Sequence, residues 1–282
     1  METYAIAGIY ITLNDIKNKY LDDNITHYKT HDVIKTKHHF NVSYQTNLCE
    51  PKEVPINQKN PYIILNEDVR IIYLKGQDQH IKMIIKHDYQ FHKIDMLFND
   101  HIIHDIDEYV YTWLGLIFMD IALMYQLLPI HGASINDDGK SVIISAPSQT
   151  GKSTHAKLWL ELDEKITIQN DDKPLIGKSG DTLMVYSSPF SGKTAQNKNI
   201  AIPLKALIFL EQSPVDVIEE MTPDDIIKEM MKNMMRPTSN QTWEKILILM
   251  NDIIQTIPIF KLKATPHISS AKLLKKYLSK RT

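Results

Sequence analysis

The residues whose types and spacing most clearly suggest a chemical role form a short loop that contains a lysine and several hydroxyls. Residues 141–159 read SVIISAPSQTGKSTHAKLW, which is an apolar run, a polar loop and a helix-forming segment. In a strand–loop–helix unit, the loop N–H groups and the positive end of the helix converge, which favours an anion. We expect nucleotide phosphates to bind at Ser148, Gln149, Thr150, Gly151, Lys152, Ser153 and Thr154. A structural turn is the alternative interpretation.

Two side chains of this loop have distinct expected roles. Lys152 would reach the β- and γ-phosphates, and Ser153 would place its hydroxyl on Mg²⁺. The start of the loop departs from the usual pattern, because Ala146 stands where a leading glycine is expected and Pro147 has no N–H to donate. The phosphate cradle must therefore be formed by the amides of residues 149–154.

An aspartate pair follows the loop. Asp171 lies nineteen residues after Lys152, directly before Asp172, where the apolar strand ITIQ ends. Adjacent carboxylates suit phosphoryl transfer, in which one holds Mg²⁺ and the other accepts the proton of the attacking hydroxyl. A solvated turn is the alternative, because aspartates are common in turns. The spacing from the loop favours a metal site of Ser153, Asp171 and Asp172.

Two further residues are candidates for the same site. His131 precedes the strand that leads to the loop, where a neutral imidazole could orient an aspartate or a phosphate oxygen. A histidine satisfied by backbone groups is the alternative. Lys193, in the polar segment SPFSGKT, could contact the transferring phosphate or the acceptor, and an exposed loop lysine is the alternative interpretation.

The composition is that of an ordinary globular protein. The chain has 282 residues, of which 43% are hydrophobic and 23% charged, enough for one large domain or two smaller ones. The net charge of −2 gives no basic bias, so we expect no nucleic-acid partner. The single cysteine, Cys49, excludes intrachain disulfides, and a reducing, cytoplasmic location is expected.

One apolar run approaches the length of a membrane span. Residues 108–130 are largely apolar, but Asp120 lies near their middle. A carboxylate at mid-bilayer is costly, and no second span exists to pair with it. We therefore expect a helix that is buried against a sheet, and no membrane partner.

The elements that must position these side chains fall into two regions. Residues 1–105 predict short strands rich in isoleucine, valine and tyrosine, with a long loop at 46–60. Residues 106–282 alternate strands with helices, a pattern typical of layered α/β architecture. Within them, a hairpin turning at Asp138-Gly139 leads into the loop. The predicted domains are a β-rich region, 1–105, and an α/β core, 106–282.

Five motifs in a fixed order resemble one known superfamily. The motifs are IHGASI, SAPSQTGKSTHAKLW, IQNDDKP, SPFSGKT and PLKALIFLEQ. Together they resemble the HPr serine kinase/phosphorylase superfamily, and are most similar to its short HPr kinase-like relatives, some of them encoded beside peptide-modifying enzymes. The resemblance covers residues 108–264. It implies a P-loop kinase core of the HPr kinase/phosphoenolpyruvate carboxykinase type, a mixed sheet with flanking helices.

The resemblance also implies an activity. The expected enzyme is an ATP- and Mg²⁺-dependent kinase with a hydroxyl acceptor, with a slight preference for a serine or threonine of a peptide or protein. The family roles carry over to residues 148–154, which include Lys152, and to His131, Asp171 and Asp172, and Lys193 is the further residue expected to be catalytic. A small-molecule (sugar-type) kinase and a non-catalytic nucleotide-binding sensor are the alternatives, and assembly into a homo-oligomer fits the family precedent.

Two departures from the family pattern bear on the expected site. Relatives have glycines where Ala146 and Gln149 stand, and the glycine at the second position can take a positive φ without strain. Gln149 could therefore alter the affinity for the nucleotide or the choice of donor. Residues 1–105 do not resemble the regulatory domain of HPr kinases.

Overall fold

The computed structural model describes residues 2–14, 16–32, 35–191 and 196–280. The chain divides into two compact units, Met1–Gly115 and Leu116–Thr282. This division falls inside the helix Ile106–Met124, whereas the boundary predicted from the sequence lies before that helix. Each unit contains its own mixed sheet, so the architecture is mixed α/β.

The first unit is built on an eight-stranded mixed sheet in the order β3-β1-β2-β4-β8-β7-β6-β5. The pairs β2–β4 and β4–β8 are parallel, and the others are antiparallel. Its elements are β1 Glu2–Ile6, β2 Ile9–Asn14, α1 Lys19–Ile25, β3 Lys29–Thr30, β4 His38–Tyr44, β5 Tyr62–Leu65, β6 Val69–Lys75, β7 Ile81–Asp88 and β8 Lys93–Phe98.

Alternation of side chains explains how these strands form a sheet. In β7 the side chains of Ile81, Met83, Ile85 and His87 are buried, and those between them are more exposed. Successive side chains of a strand point to opposite faces, so this pattern covers one face of the sheet with apolar groups. Residues 45–61 contain no helix or strand, which confirms the long loop predicted between β4 and β5.

The second unit contains a nine-stranded mixed sheet. Seven strands follow the order β12-β10-β11-β15-β14-β13-β9, and β17 pairs with both β15 and β16. Its elements, with the helix shared by both units, are α2 Ile106–Met124, β9 Leu128–Pro129, β10 Gly132–Asp137, β11 Lys140–Ser145, α3 Lys152–Leu160, β12 Thr167–Asp172, β13 Leu175–Ser179, β14 Thr182–Tyr186, β15 Ala201–Gln212, β16 Val217–Glu220, α4 Pro223–Asn233, α5 Asn240–Thr256, β17 Ile259–Ala264 and α6 Ile268–Ser279.

Helices cover both faces of this second sheet. In β11, Ile143 packs in a buried cluster with residues of α4 and α5, while Val142 and Ile144 pack with residues of α3 and α6. Alternate side chains of the strand therefore pack into two separate cores, one on each face of the sheet, and each core includes one pair of helices. The strands β11, β15 and β17 are parallel to one another, so their carboxyl ends lie at one edge of the sheet.

The predicted hairpin is confirmed, and it leads directly to the candidate loop. β10 and β11 pair in antiparallel register from Gly132 opposite Ser145 to Asp137 opposite Lys140. Asp138 and Gly139 between them have φ of 54° and 76°. Two consecutive positive φ angles are what a tight two-residue hairpin turn requires.

Helix α2 ends earlier than its apolar sequence suggests. Gln126 has a φ of 58°, and the N–H of Leu127 donates to the carbonyl of Ala122 at 3.0 Å. This left-handed cap terminates the helix without a glycine. Leu128 and Pro129 then form β9, which pairs with β13. No helix in the described part of the chain is long and apolar enough to span a membrane.

Candidate functional site

The loop that joins β11 to α3 turns sharply just before the helix. Gly151, the residue before the first turn, has a φ of 94°, which an L side chain rarely adopts. Gly151 has no side chain with which to cap the start of α3. The first N–H groups of a helix have no intrahelical partner and lie at the positive end of the helix dipole, which favours an anion there.

Gln149 takes the backbone conformation that a glycine would take in this loop. Its φ is 66°, although it carries a full side chain. Its carbonyl accepts a hydrogen bond from Nε2 of Gln212 at 3.5 Å, which ties the loop to the end of β15. A non-glycine residue in the left-handed region costs about 1–2 kcal/mol. The loop therefore forms with Gln149 in a strained backbone conformation.

We expect Gln149→Gly to raise the free energy of unfolding by about 0.5–1 kcal/mol, because relief of the strain exceeds the extra freedom of glycine in the unfolded chain. Urea denaturation measures this change. Gln149→Ala is the matched control, since alanine keeps the Cβ that causes the strain. Equal stabilities of the glycine and alanine variants would contradict the prediction.

Lys152 lies against the loop and is largely buried. Lys152 is 9% exposed, and its Nζ donates a hydrogen bond to the carbonyl of Pro147 at 2.9 Å. Burial lowers the pKa of Lys152, and the carboxylates of Asp172 and Asp171 oppose this change. A cation held beside the loop in this way is placed to exchange one carbonyl oxygen for the oxygens of a phosphate.

Ser153 and Asp171 are in direct contact, although eighteen residues separate them. Oγ of Ser153 donates to Oδ1 of Asp171 at 2.9 Å, and Asp171 is 9% exposed. In an octahedron with ligands at 2.0–2.1 Å, neighbouring oxygens are about 2.9 Å apart. A serine hydroxyl and a carboxylate at this separation fit two adjacent positions around Mg²⁺, with Asp172 as the next residue that could contribute an oxygen.

A β-bulge in β12 decides which aspartate faces α3. Gly132, Ala133 and Ser134 pair with Asp172, Asp171 and Asn170, but the register then shifts so that Ile135 pairs with Ile168. Gln169 is the extra residue. In an uninterrupted strand Asp172 would share the face of Ile168, which packs with α3; the bulge puts Asp171 there instead.

Asp172 lies among cationic and imidazole groups. Nζ of Lys173 is 2.9 Å from Oδ2 of Asp172, and Nε2 of His131 is 3.4 Å from Oδ1. The φ of Asp172 is 114°, a strained value for a residue with a side chain. Strain of this kind persists only where surrounding contacts enforce it, and it is concentrated at functional sites.

The backbone of His131 is held from two sides. Its N–H donates to the carbonyl of Asn233 at 2.7 Å, and its carbonyl accepts from Oγ of Ser145 at 2.8 Å. The next residue, Gly132, leaves no room for a Cβ, which would lie 2.9 Å from the carbonyl oxygen of Ile144. Burial lowers the pKa of His131, and the nearby Lys152 lowers it further, whereas the carboxylate of Asp172 opposes this change.

The structure brings most of the candidate residues together. Lys152, Ser153, Asp171, Asp172 and His131 form one cluster at the N-terminus of α3. In the loop, Ser148 and Gln149 are exposed, and Thr154 is exposed in the first turn of α3, whereas Thr150 and Gly151 are partly buried. Lys193 lies outside the described residues.

Three residues at or near the candidate site were not identified from the sequence. Lys173 forms an ion pair with Asp172, Ser145 holds the backbone of His131, and His155 is buried one turn into α3. A cation directly after an aspartate pair is a signal that could have pointed to Lys173. Ser145 and His155 carry no such signal, because their roles depend on neighbours that are distant in sequence.

Within the described residues, no group of three or more His, Cys, Asp or Glu side chains could hold a metal ion. The candidate Mg²⁺ position at Ser153 and Asp171 offers one hydroxyl and one carboxylate, and Mg²⁺ usually takes its other ligands from phosphates and water.

Comparison with known proteins identifies a family for the second unit. None of the curated proteins matches the chain. Among solved structures, the Hpr(Ser) kinase/phosphatase from Coxiella burnetii is similar at 12% identity over 45% of this chain and 94% of that chain. Its TM-score is 0.25, so this likeness carries no argument about fold or function.

The family model described as SynChlorMet cassette protein ScmC matches residues 105–267. This range contains every residue of the cluster around α3. This family is different from the HPr kinase superfamily that the motifs resemble. Membership of the HPr kinase superfamily therefore stays a prediction. Because the match spans more than half of the chain, the protein belongs to the SynChlorMet cassette protein ScmC family.

Proposed function

We propose that this protein is a Mg²⁺-dependent kinase that transfers the γ-phosphoryl group of ATP to a hydroxyl. The observation that carries the proposal is the 2.9 Å contact between Ser153 Oγ and Asp171 Oδ1 at the N-terminus of α3. It joins two adjacent oxygen ligands to a helix end whose first N–H groups suit phosphates. Bound Mg²⁺ would neutralise charge on the β- and γ-phosphate oxygens.

The two aspartates have different surroundings, which suggests different roles. Asp171 contacts Ser153 and is assigned to the metal. Asp172 lies beside His131 and Lys173 and is assigned as the base. The acceptor oxygen would form a bond to the γ-phosphorus as the bond to the bridging oxygen of ADP breaks, and the hydroxyl proton would pass to Asp172. His131 would orient that carboxylate, and Lys152 would bind the phosphate oxygens.

An acceptor could approach from the side of His131. A cavity of about 230 Å³ lies there, with Lys173, Lys232, Met234 and Met235 among its lining residues. Pockets for whole small molecules are usually about 300–1,000 Å³. The smaller volume, with adaptable methionine walls, favours a single side chain presented by a peptide or protein, so we assign the acceptor to serine or threonine. A sugar-type hydroxyl is the second candidate.

The proposal is tested by incubating the full chain with Mg²⁺ and γ-labelled ATP, first with a cell extract and then with serine and threonine peptides and sugars. We expect label in a hydroxyl of a peptide or protein. Label in sugars alone would show that the acceptor is a sugar hydroxyl and not a serine or threonine. ATP binding without transfer to any acceptor would overturn the kinase assignment and leave a nucleotide-binding module.

We expect Asp171→Asn to raise the Mg²⁺ concentration for half-maximal turnover about tenfold or more, because asparagine keeps the shape of the side chain but loses the charge that binds the metal. A Mg²⁺ titration at saturating ATP measures this effect. Asp181→Asn, an exposed aspartate in the turn between β13 and β14, is the matched control. An unchanged Mg²⁺ requirement would rule out Asp171 as the metal ligand.

A further inference from the structure

A second cavity, of about 460 Å³, lies beside the N-terminus of α3, and His131 is not among its lining residues. Thr150 and Gly151 of the loop form part of its wall, and so do the ends of β15 and β17. These are carboxyl ends of parallel strands, the usual position of ligand sites in α/β sheets. The volume is within the ordinary range for a small-molecule site.

The wall of this cavity contains a histidine with unusual surroundings. His155 is 3% exposed, and neither Nδ1 nor Nε2 has a hydrogen-bond partner among the described residues. Buried polar atoms are nearly always hydrogen-bonded, and an unpaired one costs free energy. Both ring nitrogens are shielded from solvent, and a neutral imidazole has one donor and one acceptor, so a small rotation of the His155 ring toward the cavity would present one of them to a bound molecule.

The other walls restrict what that molecule can be. Leu158, Leu210, Ala264, Pro214 and Pro266 supply apolar surface. No lysine or arginine is among the described residues that line the cavity, whereas Glu211 does line it, which disfavours a second anion. Apolar faces with one polar edge suit a flat heteroaromatic ring, which has apolar faces and a rim of donors and acceptors.

We propose that this cavity holds the base of the donor nucleotide and that His155 determines specificity by hydrogen-bonding to the edge of that base. The inference rests on the proposed function, which places the phosphates at the loop. Thr150 and Gly151 belong to both the loop and the cavity wall, so one nucleotide can occupy both. His155 touches the base and not the reacting atoms, so its loss acts on binding and not on the chemical step.

The test compares the binding of ATP and of tripolyphosphate, which lacks a base and a ribose, by calorimetry in the presence of Mg²⁺. The wild type is expected to bind ATP at least about tenfold more tightly than tripolyphosphate. In His155→Leu this preference should fall about five- to tenfold, the range of one or two lost hydrogen bonds. The affinity for tripolyphosphate should not change, and KM for ATP should rise with kcat retained.

Two controls separate binding from folding. His104→Leu makes the same chemical change at an exposed site in the first unit and should leave the preference for ATP unchanged. Thermal unfolding of His155→Leu without nucleotide should occur at the same or a higher temperature, because an unpaired buried polar group has been removed. His155→Gln, which keeps a donor and an acceptor, should retain part of the preference and serves if the leucine variant does not fold.

Equal wild-type affinities for ATP and tripolyphosphate would overturn the inference, and so would an equal loss of both affinities in His155→Leu. These outcomes are distinct from failure of the proposed function. Base-dependent binding without any phosphoryl transfer would sustain the base site and refute the kinase. Phosphoryl transfer from ATP, together with equal affinities for ATP and tripolyphosphate, would sustain the kinase and refute the base site.

Discussion

Asp172→Asn is expected to lower kcat/KM for phosphoryl transfer about a thousandfold, the largest effect of any single substitution in this site. General-base catalysis contributes about 10²–10⁴-fold, and an asparagine cannot accept the proton of the acceptor hydroxyl. The geometry favours Asp172 for this role because His131 Nε2 lies 3.4 Å from one of its oxygens and Lys173 Nζ lies 2.9 Å from the other. Initial rates with labelled ATP and the identified acceptor measure the loss.

The fold should survive this change. Asparagine tolerates a positive φ as well as aspartate does, so the backbone at 114° is preserved. Calorimetry should therefore show ATP binding close to that of the wild type, and Asp181→Asn should have wild-type activity. Full activity of Asp172→Asn would remove Asp172 from the role of base. A loss of both ATP binding and activity would instead show that Asp172 belongs to the nucleotide site.

Lys152→Met is expected to lower kcat/KM about a hundredfold to a thousandfold. Removal of one preorganised donor to developing charge typically has an effect of about 10²–10³. Methionine has a similar length but no charge, so it tests the ammonium group and not the volume of the side chain. Because Lys152 is 9% exposed and burial lowers its pKa, the ligand-free variant should be at least as stable as the wild type.

The matched control is Lys157→Met, an exposed lysine on the same helix, which should keep wild-type activity and affinity. Rates and ATP affinities are measured together with thermal unfolding. A less stable Lys152→Met with normal kcat/KM would show that Lys152 supports the loop, through its hydrogen bond to Pro147, and takes no part in binding phosphates.

Local sequence patterns were sufficient for the elements on either side of the loop. The apolar run at 141–145 forms β11, and α3 begins at Lys152, as the strand–loop–helix pattern predicts. The turn at Asp138 and Gly139 follows from residue types that accept a positive φ. These features depend on interactions within a few residues, which a single sequence carries directly.

Other features could not be derived in this way. The family pattern that the motifs resemble has a glycine at this position of the loop, yet in this protein Gln149 adopts the left-handed conformation between the ends of β11 and α3. The same holds for α2, which ends at a left-handed Gln126 where the apolar pattern continues. In both places tertiary packing overrides local preference.

The sequence by itself determined which chemical groups are available for the proposed phosphate site: Lys152, Ser153, Asp171, Asp172 and His131. Only the tertiary structure decided how they are divided between the proposed roles. The extra residue Gln169 in β12 shifts the register by one, so that Asp171 meets Ser153 and Asp172 meets His131. The physical reason is that neighbouring side chains of a strand point to opposite faces, and the pairing with β10, more than thirty residues away in sequence, sets which face each one takes.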